Sequence, residues 1–294
     1  MTTMALTSST VADFITLLKP RVMSLVVFSG IAGLIMASAQ ENISIHPLVA
    51  CAAVLAIALS AGAAAAINMW YDRDIDAIMK RTQNRPIPAG RVTPQAALEY
   101  GVVLSIIATF IMALATNWVA AALLTIANLF YVFVYTMWLK RTTPQNIVIG
   151  GAAGAFPPMI GWATVTGDVT LVPILLFALI FFWTPPHFWA LALIKRDDYG
   201  AAGIPMLPNV KGDKHTKWQM LIYTLILLPL SLSLFAVGAA SELYAASAAI
   251  LSAAFIGFAV RVLLDDDNSR AGRMFAWSII YLFALFALLI ADNI

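Results

Sequence analysis

Hydrophobic residues in this chain come in long, nearly unbroken runs instead of the short rhythms of a water-facing fold. Runs near the roughly 20 residues that cross a bilayer fall at about 22–39, 47–68, 97–115, 118–138, 146–166, 170–191, 218–238, 243–263 and 274–291. The pattern predicts an all-α membrane protein of nine transmembrane helices. The connections alternate in character. Those after the first, third, fifth and seventh runs carry only Glu41, Asp168 and Glu242 as charges, and the others hold the bases. With Lys19 and Arg21 ahead of the first run and Arg261 closing the eighth, all 17 Lys and Arg fall on one side. The positive-inside bias then puts the N-terminus and every basic loop in the cytoplasm and the C-terminus outside, in the cytoplasmic (inner) membrane of a bacterium.

Two inner connections are long, about 72–96 and 192–217, and follow the second and sixth runs. That spacing predicts two four-helix pseudo-repeats plus a ninth helix, read as one integral membrane domain over residues 1–294. Substrates commonly bind between such repeats.

Composition removes other classes. Hydrophobic residues make up 62% of the chain and charged residues 11%, against about 25% charged in soluble domains. The single cysteine, Cys51, lies in an apolar run, so no disulfide framework is expected. Met1 to Asp13 lacks the basic start and small-residue cleavage site of a removable leader.

Candidate chemistry concentrates where the second run ends. Asn68, Asp72 and Asp76 are each four residues apart, so on a helix they fan over only about 80° and form one oxygen-rich stripe. Two carboxylates and an amide suit magnesium, which takes oxygen ligands and is often completed by substrate phosphates. Asp74 lies about 200° from Asp72 on the same wheel, free to pair with Arg73 or Arg81 or to face water. Arg81 and Arg85 follow, and guanidinium matches phosphate oxygens. Acids for a metal and arginines for phosphate at a membrane boundary suggest a diphosphate with an apolar tail.

A second polar cluster closes the sixth run. If the helix continues past Pro185-Pro186, then His187, Leu191, Lys195 and Asp198 fall near one face. Lys195 and Asp198 are then candidates for phosphate and a second metal, and His187 is an intramembrane histidine, a functional candidate by default. Pro157-Pro158 and Pro185-Pro186 are expected to interrupt the fifth and sixth runs. The small-residue stretches Ala61–Ala66 and Gly150–Ala155 predict close helix packing, with room for a bulky ligand as the alternative. Lys140 and Arg141 end the fourth run on the same inner side.

Together these phrases resemble the UbiA superfamily of intramembrane prenyltransferases over essentially the whole chain. The phrases are Asn68 to Arg85 with Pro86-Ile87-Pro88-Ala89-Gly90-Arg91, then Lys140 to Gly151, and Pro185-Pro186-His187-Phe188-Trp189 followed by Asp197-Asp198-Tyr199 and Gly203 to Pro208. The resemblance implies a nine-helix bundle around a central cavity and magnesium-dependent transfer of a prenyl group from its diphosphate. Asn68, Asp72 and Asp76 match the first aspartate-rich motif, and Lys140 matches the basic position after the fourth helix. The second motif departs from the common pattern. His187 and Lys195 stand where many members carry aspartates, leaving Asp198, with Asp197 beside it, as the acid.

That departure resembles the haem-specific branch. It implies farnesyl diphosphate as donor, haem b as acceptor, and a hydroxyethylfarnesyl haem (haem O) as product after water addition, a step of haem A/O biosynthesis. It also implies a haem A synthase or terminal oxidase assembly as recipient and no nucleic-acid partner. The implied catalytic set is Asn68, Asp72, Asp76, Lys195 and Asp198, with magnesium on Asn68, Asp72, Asp76, Asp197 and Asp198. Diphosphate would meet Arg81, Arg85, Lys140, Arg141 and Lys195, and haem would meet His187. Two rivals stand beside this reading: prenylation of a quinone precursor or other aromatic acceptor, and cation-coupled secondary transport. Acids clustered with arginines at the inner ends of helices, away from the bilayer midplane, favour a diphosphate over an ion pathway.

Overall fold

The computed structural model describes residues 9–294; the expected absence of a removable leader rests mostly on residues 1–8, outside the described residues. The chain forms α1 (Val11–Leu17), α2 (Pro20–Gln40), α3 (Pro47–Tyr71), α4 (Arg73–Ile78), α5 (Pro94–Ala115) and α6 (Trp118–Leu129). A ten-residue π-helix (Phe130–Leu139) continues α6 into α7 (Lys140–Thr142). Then come α8 (Asn146–Gly150), α9 (Ala152–Thr166), α10 (Leu171–Ile194), α11 (Arg196–Ala201), α12 (Leu207–Lys211), α13 (Asp213–Ala236), α14 (Glu242–Leu263) and α15 (Ala271–Asp292). Among the described residues, nine helical segments are long and apolar enough to cross a membrane, at the nine predicted places.

Local chemistry sets the starts. Proline opens α2, α3 and α5, where the missing N–H costs nothing. Thr93 and Asn117 cap α5 and α6 by accepting from Ala96 and Ala120 N–H at 3.2 and 2.9 Å. Several helices run past their apolar stretch at the inner end, so that α3 reaches Tyr71 and α10 reaches Ile194. The polar motifs therefore begin at the ends of these helices and continue into the short α4 and α11.

Along α5, Val103, Ile106, Phe110 and Leu114 recur at three- and four-residue spacing and are all exposed, a lipid-facing stripe. The inward packing pairs α2 with α9, α3 with α5, and α13 with both α10 and α14, while α15 lies against α10, α14 and α2. The largest core cluster holds Trp162, Trp189, Tyr244, Phe255, Tyr281 and Phe286.

The paired prolines do not interrupt their spans, contrary to expectation. Helix α9 runs through Pro157-Pro158 and α10 through Pro185-Pro186. A neighbouring helix lets a membrane helix continue unbroken through proline despite the lost ladder bonds. In α9 that neighbour is α2: a Cβ on Gly33 would lie 2.0 Å from the Pro158 carbonyl oxygen, and one on Gly161 2.0 Å from that of Gly30. The break in the fifth span falls instead at Gly151, between α8 and α9.

The small-residue stretches serve packing. A Cβ on Gly150 would enter the Tyr135 ring, and one on Gly151 would meet Thr184.

At the inner end the two long loops fold together over α8. Ile75 and Met79 after the second span, Ile147, and Tyr199, Ile204 and Met206 after the sixth form one buried cluster. The start of the described chain is tied in too. Thr10 and Asp13 form a capping box on α1, and Asp13 pairs with Arg91 at 2.7 Å. The Arg91 guanidinium, helped by Thr10, holds the Asp13 carboxyl below the ordinary carboxylate range.

Two outcomes follow. Gly33→Ala is expected to lower the thermal midpoint in detergent by several degrees, since overpacking costs about 1–3 kcal/mol. Gly257→Ala, where a Cβ meets nothing within 4 Å, is expected not to lower it; equal midpoints would refute the close α2–α9 contact. In a Cys51→Ala background, Gln83→Cys and Lys211→Cys should react with an impermeant thiol reagent from the cytoplasmic side, and Asp168→Cys from the outside. Labelling of Gln83→Cys and Asp168→Cys from one side would overturn the topology.

Candidate active site

The site is built where α3 ends. Helix α3 stops at Tyr71, with Asp72 as the shared cap between it and α4. The stripe nevertheless stays in register, because the Asp72 N–H bonds the Asn68 carbonyl at 2.9 Å and the Asp76 N–H bonds that of Asp72 at 2.8 Å. All three side chains are sealed: Asn68 is 3%, Asp72 0% and Asp76 2% exposed. A buried carboxylate needs a charge partner and hydrogen bonds, and each finds them in a different element.

Asp72 takes an ion pair from Lys140 at the end of the π-helix, with Arg141 3.5 Å away. Asp76 pairs with Arg85 at 2.6 Å. Asn68 Nδ2 donates to Asp72 at 2.8 Å and to Thr136 at 3.2 Å, and its Oδ1 accepts from Lys19 Nζ at 2.9 Å. Four cations from three separate stretches of chain thus converge on one stripe.

Asp74 departs from expectation. It is well exposed, as its place on the wheel requires, but its partner is Arg141, through two 2.8 Å bonds. Arg73 turns away to the Trp70 carbonyl at 2.8 Å. The reason is reach: Arg141 comes down from the fourth span with its guanidinium 4.8 Å from the Tyr71 ring centre and meets the first turn of α4. Arg141 holds the Asp74 carboxyl below the ordinary carboxylate range.

Arg81 does not face the acids. Its guanidinium lies 5.4 Å from the Tyr199 ring centre and donates to the Tyr199 hydroxyl at 3.3 Å, joining the two long loops. Tyr199 therefore connects the second polar cluster to the first, a role its sequence position did not signal. Lys195 is the exposed cap of α10, Asp197 is exposed and Asp198 half-buried on α11. Among the described residues, no hydrogen bond or ion pair joins these three to the stripe, and no group of three metal-ligating side chains forms.

His187 is buried immediately after the proline pair, within α10, its Nδ1 2.6 Å from Ser278 Oγ. His46 caps α3 by accepting from Leu48 N–H, and His215 is exposed.

Three further residues enter the site unannounced by the sequence. Lys19 reads as a positive-inside anchor, yet it stands in the left-handed region (φ 51°) just before Pro20, half-buried and aimed at Asn68. Burial, then the like charges of Arg85 and Lys140, push its ammonium down to about 7, against the pull of Asp76 and Asp72. Tyr131 and Tyr135, from the π-helix, pack at 5.2 Å with the acids, Arg81 and Arg85 as charged neighbours. π-Helical segments often mark functional sites, but nothing in Phe130–Leu139 predicts one.

The donor set fits magnesium. Two sealed carboxylates and an amide oxygen offer only oxygen, the ligand type magnesium takes. Those oxygens pair with Lys140, Arg85 and Lys19.

Comparison with known proteins agrees in extent. A sequence profile of the UbiA prenyltransferase family matches residues 26–287. The protoheme IX farnesyltransferase of Acidiphilium cryptum (strain JF-5) is 54% identical over 299 residues, covering 99% of this chain and 93% of the relative. That of Agrobacterium fabrum (strain C58) is 54% identical, covering 96% and 89%. Among solved structures, a digeranylgeranylglyceryl phosphate synthase superposes with a TM-score of 0.78 at 18% identity, covering 96% and 98%. A UbiA homologue from Archaeoglobus fulgidus bound to GPP and Mg2+ superposes with a TM-score of 0.64 at 17% identity, covering 95% and 99%. The last two speak to the fold.

Lys19→Met is expected to weaken binding of magnesium diphosphate about tenfold, the scale of one charged hydrogen bond. Isothermal calorimetry on the purified protein measures it. Unchanged affinity would remove Lys19 from the site.

Proposed function

Because this chain belongs to the UbiA prenyltransferase family, we propose that it transfers a farnesyl group from farnesyl diphosphate to a vinyl group of haem b, with addition of water, releasing diphosphate. The observation that carries the acceptor is the 54% identity to protoheme IX farnesyltransferases over nearly the whole chain. The observation that supports the donor is the sealed Asn68–Asp72–Asp76 stripe with its ring of cations.

In this reading Asn68, Asp72 and Asp76 hold magnesium, which when bound supplies positive charge to the departing diphosphate. Lys19, Arg85, Lys140 and Arg141 exchange their carboxylate and amide partners for diphosphate oxygens as the substrate enters. Preorganised charge of this kind is usually the largest catalytic term. The C1–O bond of farnesyl diphosphate breaks and diphosphate leaves with the electron pair. The vinyl π electrons then bond to C1, and positive charge moves to the vinyl carbon next to the macrocycle. Water adds there and loses a proton, giving the hydroxyethylfarnesyl group. Tyr131 and Tyr135 wall the region beside the acids and limit earlier quenching by water.

Lys195, with Asp197 and Asp198, we assign to the second loop's approach to the diphosphate. They make no hydrogen bond to the stripe, and catalytic contacts of this kind commonly tighten only in the loaded complex. His187 we assign to the haem, as an axial ligand through neutral imidazole. The basic ends face the cytoplasm, and the whole chain acts as one unit.

Purified protein given farnesyl diphosphate, haem b and magnesium should yield hydroxyethylfarnesyl haem and diphosphate, followed by mass spectrometry. Prenylation of a hydroxybenzoate with haem b untouched would replace haem by an aromatic acceptor. Asp72→Asn should cut turnover at least about a hundredfold, as loss of preorganised charge does elsewhere. Asp74→Asn, an exposed pair, should cost less than about fivefold. Near-normal turnover in Asp72→Asn with magnesium as the sole divalent ion would refute the metal assignment.

A further inference from the structure

The ninth span has no part in the chemistry so far described, yet one of its residues controls the surroundings of His187. Ser278, on α15, is fully buried. Its hydroxyl donates to the Phe275 carbonyl at 2.6 Å, and the same oxygen lies 2.6 Å from His187 Nδ1. Its own carbonyl accepts from Trp183 Nε1 at 2.8 Å. Trp183 and Phe275 in turn stack on the imidazole, with centroids at 4.3 and 4.7 Å and planes within 19° and 24°. Ser278 thus anchors the histidine, and its helix supplies one of the two rings that fix the imidazole plane.

The proton count decides the tautomer. A hydroxyl has one hydrogen, and here it goes to Phe275. Toward His187 the oxygen can then offer only a lone pair, so Nδ1 must carry the hydrogen and, in the neutral ring, Nε2 keeps the free pair. Among the described residues nothing hydrogen-bonds Nε2, and that atom is not sealed. A histidine retained for packing alone would ordinarily have both nitrogens satisfied.

We propose that Ser278 is a positioning residue for the acceptor: it locks His187 in the Nδ1–H tautomer and so frees Nε2 to ligate the haem iron. The proposal rests on the reading of His187 as a haem ligand. The logic is that of any metal-bound imidazole, whose second nitrogen is held by an outer hydrogen bond that sets tautomer and orientation.

Two measurements test it. In protein labelled with 15N-histidine, with His187→Ala identifying the His187 signals, the wild-type ring should show the Nδ1–H form. Ser278→Ala should shift it toward Nε2–H, and Ser278→Thr, which keeps the hydroxyl, should not. An Nε2–H ring in the wild type would overturn the proposal without any variant. In the second measurement, ferric haem b is titrated into the detergent-purified protein. Ser278→Ala should bind about tenfold more weakly, the usual cost of losing an outer-shell partner, while Ser278→Thr stays within about twofold of wild type. Wild-type melting of Ser278→Ala separates this loss from misfolding. His187→Ala should lose the imidazole-ligated haem spectrum and regain it with free imidazole. Wild-type haem affinity in Ser278→Ala beside a lost spectrum in His187→Ala would overturn the Ser278 role alone. An unaltered spectrum in His187→Ala would overturn the ligand reading and this proposal together.

Discussion

Two carboxylates with essentially no exposure, at the end of a membrane helix, impose the constraint on which the inner half of this molecule depends. Neither can be left unpaired at that depth, and no cation within their own helix can reach both. Lys140 therefore has to arrive from the fourth span and Arg85 from the long loop, while Lys19, from the threshold of the first span, donates to the neighbouring Asn68 amide. Each of these arrivals fixes the path of a different stretch of chain. The order of the inner loops is in this sense a consequence of the acids.

The outer constraint is steric. With no hydrophobic drive between helices in lipid, close backbone approach supplies the adhesion, and α2 and α9 approach closely enough that Gly33 and Gly161 admit no side chain. That contact joins the first span to the fifth and helps to carry α9 straight through its two prolines. Charge thus organises the inner ends, and van der Waals contact organises the shafts.

Much of this was legible in the sequence because it rests on features that sequence encodes directly. Run length gave nine spans, and four-residue spacing gave the stripe, which survives even though α3 formally ends at Tyr71. The illegible parts are contacts between distant segments. Asp74 meets Arg141 across 67 residues and His187 meets Ser278 across 91, pairings that no local periodicity announces. Lys19 was hidden for another reason: a base at a membrane boundary has a sufficient topological explanation, which masks any second role. The prolines misled because their effect on a helix depends on the neighbour that packs against it.

One consequence concerns turnover. Since both buried acids of the stripe already have a cation, the proposed entry of a metal with its diphosphate is a change of partners among groups that are already paired. Neither the empty nor the loaded state then leaves a bare ion in a low-dielectric interior, so the two can lie close in free energy. In the proposed reaction, which releases a diphosphate while the other product stays in the membrane, that balance favours turnover. On that reading the resident lysines and arginines act as a returning spring, reclaiming the carboxylates as the diphosphate departs.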